Sequence, residues 1–245
     1  MVDEANAAAS PSHQVAAAGT FKSIAINAPH YLKYLHTLFT SAGGLTIRFT
    51  LPLTSSLAIS LAHLTPLLKK HNLPSASAVV NATGLLAAGL AHDRTLFPIR
   101  GQTILVKGEA HAVRTRTRPD GMDYVIPRPG SGTTILGGTK DEGVYSPVPD
   151  DAVTKAILQG CKGLAPELLT AEGDDGAGFE VLSVQVGLRP GRKNGARMEI
   201  ERVGAWKVVH AYGHAGAGYQ NSVGVARRVV RMVKEVIGDG TTAKL

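Results

Sequence analysis

Hydrophobic residues change period several times along the chain, and each change marks a predicted element. Residues 206–210 alternate apolar and polar positions and are rich in β-formers. Gly213, Gly216 and Gly218 then break the pattern, and Ala226, Val230, Val233 and Ile237 return at helical spacing. The stretch reads as strand, glycine turn, helix. A helix entered from glycines exposes unpaired backbone N–H groups and the positive end of its dipole, a cradle for an anionic ligand group. The ordinary alternative is a flexible βα connection.

Upstream, the same reading predicts alternating helices and strands. A helix is expected from Asn27, which caps it, with Pro29 in the first turn, Leu32, Leu35, Leu38 and Phe39 on one face, and Gly43 and Gly44 ending it. Residues 45–50 read as a strand. Thr54 or Ser55 caps a second helix running through Leu57, Leu61, Leu64 and Leu68, and residues 78–81 form a short buried strand leading into Ala82, Thr83, Gly84 and a further small helix. Near Pro98 the character changes. Strands are expected at 101–106, 124–128, 133–136, 181–188 and 197–201, with a turn at 129–132 and one helix capped by Asp150 and packed through Val153, Ile157 and Leu158. The predicted fold is α/β of a mixed α+β kind, in which an antiparallel platform interrupts an α/β layer around a parallel sheet. Arg114, Arg116 and Arg118 alternate with other residues as a solvated hairpin edge would, guarded by charge against further pairing.

Composition narrows the picture. With 245 residues, 44% hydrophobic content and 28 glycines the chain can bury a sizeable core. No apolar run is long enough to span a bilayer and no secretory signal is expected at the N-terminus, so the chain is expected to be soluble. Residues 1–20, Ala/Ser-rich and without periodicity, are expected to be a disordered arm. Cys161 is the only cysteine, which excludes an intramolecular disulfide and a cysteine metal cluster and suits a reducing or peroxide-handling compartment. The nine histidines are scattered, and no metal site is expected. A net charge of +7 admits acidic partners, and the cluster Arg189, Arg192, Lys193 and Arg197 motivates a nucleic-acid reading; 5% aromatic residues and no reading motif argue against it.

Six motifs in order, Asn81-Ala-Thr-Gly84, Pro98-Ile-Arg-Gly-Gln102, Tyr124-Val-Ile-Pro-Arg-Pro-Gly130, Leu136-Gly-Gly-Thr139, Val186-Gly-Leu-Arg-Pro-Gly-Arg192 and His210-Ala-Tyr-Gly-His-Ala-Gly-Ala-Gly-Tyr-Gln220, carry a resemblance to D-amino-acid oxidases, particularly fungal ones. The resemblance runs from about Phe21 to Ile237 and implies FAD-dependent oxidation of D-amino acids to imino acids, which hydrolyse to keto acids, with electrons returned to molecular oxygen as hydrogen peroxide. It makes 21–104 with 205–237 a partial, Rossmann-like FAD-binding domain, 105–204 a substrate-binding sheet domain and 238–245 a tail. It implies that Arg189 clamps the substrate carboxylate, a task suited to a bidentate guanidinium, and that Tyr124 hydrogen-bonds the same carboxylate. Gly187, Gly213, His214, Ala215, Gly216, Ala217, Gly218, Tyr219 and Gln220, with Asn81, Thr83 and Gly84, become the flavin candidates, and Gly216 also faces substrate. Hydride transfer between oriented partners needs no side-chain base.

Two departures from the family stand out. The family opens with a strand, a G-x-G-x-x-G turn and a helix, then an acidic residue on the ribose. Here Gly19 is the only glycine before Gly43, and no Asp or Glu lies between Glu4 and Asp93. This motivates an alternative, a truncated non-catalytic relative acting as a binding or interaction protein. Lys140 stands where the family has an active-site tyrosine, with Tyr145 nearby, and a cation there motivates a D-aspartate oxidase variant. The terminal Ala243-Lys244-Leu245 is close to the S-K-L peroxisomal address, which adds a peroxisomal import receptor to the expected partners. Neither nucleic acid nor membrane is expected as a partner, and a homodimer is compatible with the sequence.

Overall fold

The computed structural model describes residues 17–170 and 178–238. In chain order its main elements are helix α1 (Ala28–Ser41), α2 (Leu57–Ala62), α3 (Leu64–Lys70), strand β1 (Val79–Asn81), helix α4 (Ala87–Leu90), β2 (Leu96–Lys107), β3 (Arg114–Arg118), β4 (Gly121–Arg128), β5 (Thr133–Gly137) and β6 (Asp141–Glu142). There follow α5 (Asp151–Cys161), β7 (Leu169–Thr170), β8 (Gly178–Phe179), β9 (Val181–Arg192), β10 (Arg197–Val203), β11 (Trp206–Tyr212) and α6 (Ser222–Ile237). The expected arm lies largely outside the described residues, and so does the C-terminal tripeptide.

The chain divides into two units, Met1–Leu45 with Arg100–Leu188, and Thr46–Ile99 with Arg189–Leu245. The division expected from sequence instead sets 105–204 apart. The difference at the second junction follows from pairing: β10, expected in the platform, forms an antiparallel ladder with β11 from Arg197↔Tyr212 to Val203↔Trp206.

In the first unit the sheet order is β3-β4-β5-β2-β6, and β9 also pairs with β2. Strand alternation decides which side chains enter the core. Val125 pairs with Leu136, and Leu136 with Ile104, so the three lie side by side, fully buried. Helix α5 covers them with Ile157 and Cys161, and Asp150 caps it as expected, accepting from the amides of Ala152 and Val153. Burial of such side chains stabilises by about 1.5–3 kcal/mol each. Burial pushes the Cys161 thiol up to about 12, so it is neutral and unreactive. The arginines of β3 depart from the expected solvated edge. Arg116 reaches the buried Asp123 at 2.7 Å and the Gly160 carbonyl at 2.7 Å, while Arg114 pairs with Glu167 at 2.6 Å. The edge is closed by ion pairs onto the helical layer.

In the second unit β1 runs parallel to β11, and β10 lies on the other side of β11. The expected parallel sheet is thus, among the described residues, a single parallel pair. Leu57, Leu61, Leu90 and Val208 form its core. The expected second helix is two: Ser56 caps α2, and the chain breaks at His63 before α3. Pro66 explains the break, because its ring clashes with the carbonyl four residues back at Ala62, while a position in the first turn of α3 suits it.

Two further expectations are corrected. Residues 45–50 form no strand; Leu45 and Phe49 are exposed, and without a ladder partner alternation alone does not make one. Helix α6 packs on β10 and β11, and its half-buried apolar residues are Val225, Val229, Met232 and Val236 together with Val233 of the expected stripe, whose other members Ala226, Val230 and Ile237 are exposed. The helix has two apolar stripes, and periodicity cannot choose between them. In the first unit α1 forms as expected, capped by Asn27, but its apolar face, including Leu32, Leu38 and Phe39, is exposed.

Candidate functional site

Three segments of the second unit meet. The end of β9 carries Arg189 and Pro190; Asn81 ends β1, with Thr83 and Gly84 in the turn after it; and the turn after β11 carries residues 213–220. A Cβ placed on Gly84, which has φ +60°, would lie 4.0 Å from Pro190 Cγ. One placed on Gly216 would lie 3.8 Å from Arg189 Cδ. The guanidinium-bearing side chain and the glycine turn therefore converge. Gly187, by contrast, falls in the first unit and is exposed.

The turn after β11 differs from the sequence expectation in one respect: the helix does not start on the glycines. A 3-10 turn, Ala215–Ala217, comes first, and α6 starts at Ser222. Asn221 occupies the cap position without a side-chain cap bond. Gly213 has φ +83° and Ala215 φ +50°; a left-handed alanine costs on the order of 1–2 kcal/mol. Gly218 has open space where a Cβ would stand. Asn81 braces the adjoining turn: Thr83 donates to its Oδ1 from the amide at 3.3 Å and from the hydroxyl at 2.7 Å. Its Nδ2 donates to His210 Nδ1 at 3.2 Å. The other imidazole nitrogen, Nε2, therefore carries the proton and donates to Glu201 at 2.9 Å.

A cavity of about 750 Å³ opens beside this turn, lined among others by Arg192, Arg197, His214, Gln220, Asn221 and Arg228. That is within the roughly 300–1,000 Å³ usual for small-molecule sites. His214 Nε2 is buried there without a hydrogen-bond partner. A buried orphan nitrogen, bare glycines and an uncapped helix start fit a planar ligand with polar edges, so the residues present suit a flavin ring. The 245 residues contain no G-x-G-x-x-G turn for the pyrophosphate.

Burial lowers the pKa of His214, and it lowers that of His210, helped by the Arg197 charge and opposed by Glu201. Both are neutral when folded. The unfolded chain takes up protons first, so their contribution to stability is complete above pH 6.5, the ordinary histidine value, and is lost as pH falls through the depressed values. Thermal midpoints are expected to drop between pH 7.5 and pH 5.5, with a flatter slope in His210→Gln. An unchanged slope in that variant contradicts the assignment.

The first unit carries Tyr124 and Lys140. The Tyr124 ring lies over Gly137 and Gly138; a Cβ on Gly137 would come within 2.1 Å of Tyr124 Cζ. Lys140 has a side chain 74% exposed and faces Glu142 at 3.9 Å. Among the described residues, no three His, Cys, Asp or Glu side chains are grouped to hold a metal, and no helix is long and apolar enough to cross a membrane. Sequence reasoning did not connect Asp93 with Arg192 and Tyr212, which meet in one partly buried cluster here. The only signal for Asp93 was its isolation, as the first acid after Glu4.

A family model described as FAD dependent oxidoreductase matches residues 1–232. The chain belongs to that family. Among its relatives, the D-amino-acid oxidase of Fusarium vanettenii is 35% identical over 234 residues, covering 92% of this chain and 61% of its own. The D-amino-acid oxidase of Schizosaccharomyces pombe is 37% identical over 207 residues, 82% of this chain and 55% of its own. A D-aspartate oxidase of Talaromyces thermophilus is 34% identical over 215 residues, covering 87% and 53%. The chain thus spans little more than half the length of these relatives. Glycine oxidase from Geobacillus kaustophilus shares the fold, with a TM-score of 0.51 at 22% identity over 66% of this chain and 42% of that one. FAD, the cofactor expected from the motifs, is the one the family is named for.

Proposed function

We propose that this chain carries the substrate and flavin-ring side of a D-amino-acid oxidase and performs oxidative deamination of D-amino acids. The convergence of Arg189 on the Gly216 turn supports the reading most directly. Arg189 would bind the substrate carboxylate through paired N–H donors. Gly213 to Gly218, His214, Gln220 and the start of α6 would hold the ring, with Asn81, Thr83 and Gly84 flanking it; a Cβ on Gly84 would lie 4.0 Å from Pro190 Cγ. A bound FAD would supply the two-electron acceptor for the hydride of the substrate α-carbon and the route to oxygen that yields hydrogen peroxide. The chain's own part would be orientation and fixed dipoles: preorganised backbone amides of the glycine turn would stabilise negative charge on the ring without reorganising.

Lys140 is committed to solvent and Glu142, which favours uncharged D-amino acids over D-aspartate. D-alanine is expected to be turned over faster than D-aspartate, and Lys140→Tyr is expected to change that ratio less than threefold. A wild-type preference for D-aspartate, abolished in the variant, would reverse the choice. Peroxisomal import through Ala243-Lys244-Leu245, which lies outside the described residues, suits a producer of hydrogen peroxide. A homodimer is compatible with this reading. The decisive experiment is to purify the chain, add FAD and measure the bound-flavin spectrum and peroxide formation with D- and L-alanine. Bound flavin reduced by D-alanine alone supports the proposal. Colourless protein without turnover favours the non-catalytic relative.

A further inference from the structure

We propose that Asp93 is a positioning residue that sets the Arg189 clamp and the flavin-side glycine turn against one another, a role that rests on the oxidase reading above. Asp93 precedes β2 and is buried, 8% exposed. Its Oδ2 is shared between two strand ends. Arg192, three residues beyond Arg189 on β9, donates to it from Nε at 2.9 Å. Tyr212, directly before Gly213 at the end of β11, donates its hydroxyl at 3.0 Å. Oδ1 faces the other way and accepts from the Thr95 amide at 3.0 Å and from the Thr95 hydroxyl, which fixes the carboxylate's rotation.

Further ties act on the same two strand ends. Lys193 donates its amide to the Thr95 carbonyl at 3.0 Å, locking the residue after β9 to the loop that carries Asp93. A Cβ on Gly213 would stand 2.9 Å from Arg192 Cβ, so the start of the glycine turn lies directly on the arginine that Asp93 holds. Arg197 donates from Nη1 to the Tyr212 hydroxyl at 3.0 Å, so that oxygen is engaged on both sides. All four of Asp93's partners are donors. A carboxylate, which only accepts, satisfies them together; an amide must turn its NH2 against donors on one side or the other. Burial alone would raise the Asp93 pKa, but the bonds from Thr95, Arg192 and Tyr212 outweigh it and hold the group well below the usual carboxylate range.

The test compares FAD-loaded wild type with Asp93→Asn, Arg192→Gln, the double variant and Tyr212→Phe. It measures FAD dissociation by flavin fluorescence, KM and kcat for D-alanine, and the thermal midpoint. Asp93→Asn is expected to raise both the FAD Kd and the KM by about tenfold, with kcat changed less, and the double variant is expected to be within about twofold of the worse single one, the signature of a coupled pair. Tyr212→Phe removes a single oxygen; it is expected to move both constants in the same direction by about threefold, and it serves as the test if Asp93→Asn does not fold. A lowered midpoint with Kd and KM within twofold of wild type overturns the positioning role and leaves a structural one. Wild type that neither binds FAD nor oxidises D-alanine overturns the oxidase reading, and this proposal with it, before any variant is compared.

Discussion

Arg189→Leu is expected to lower kcat/KM for D-alanine by about a thousandfold, because truncating one partner of a hydrogen-bonded charge pair costs roughly 2–5 kcal/mol. The side chain that is lost packs against Gly216, with 3.8 Å between Arg189 Cδ and a Cβ built there. A carboxylate bound at the guanidinium would therefore be held beside the turn assigned to the flavin. The loss should appear mainly in KM, since the carboxylate is gripped in both ground state and transition state. Arg189→Lys keeps the charge but not the two-pronged geometry, and is expected to recover only part of the loss, leaving a deficit of about ten- to a hundredfold. Both variants should still bind FAD, because the leucine and lysine stems fill the space beside Gly216. A normal KM in Arg189→Leu, with FAD bound, would show that the carboxylate is recognised elsewhere.

The sequence reveals what is local and misses what is paired over distance. The strands at β4 and β5 were legible because inward and outward residues alternate, and the Asp150 and Asn27 caps because a cap acts within three residues. The glycine turn was legible because Gly213 and its neighbours serve no regular element. The Arg189 and Tyr124 assignments came from motifs, and the structure adds what motifs cannot: Tyr124 lies over Gly137 and Gly138, and Arg189 abuts Gly216. The cluster of Asp93, Arg192 and Tyr212 stayed hidden, since residues so distant in sequence leave no spacing to read. The same blindness turned Arg116 into a surface residue on paper, although its partner Asp123 lies opposite it in the β3–β4 ladder. The missed α6 face has a different origin: two apolar stripes on one helix satisfy the same period, and only packing against β10 and β11 selects one.

Gly160→Ala is expected to destabilise the first unit by about 2–4 kcal/mol, the opposite sign to the roughly 1 kcal/mol gain that helix propensity predicts. Gly160 sits inside α5, where a glycine costs backbone entropy and supplies no contact of its own. The reason for it is the buried ion pair beneath. A Cβ at 160 would come within 2.5 Å of Asp123 Oδ1, and the Gly160 carbonyl accepts from Arg116 Nη2 at 2.7 Å. Asp123 and Arg116 have side chains only 2% and 12% exposed, so the methyl group cannot push the carboxylate into water without breaking the pair. Dividing a buried pair leaves an uncompensated charge, a loss of about 3–5 kcal/mol, which exceeds the propensity gain. Gly163→Ala is the matched control: nothing stands within 4 Å of its Cβ position, and it is expected to be neutral or slightly stabilising. Urea unfolding followed by circular dichroism on both variants measures the difference. If Gly160→Ala proved as stable as Gly163→Ala, close approach to Asp123 would not be why α5 keeps a glycine in its interior.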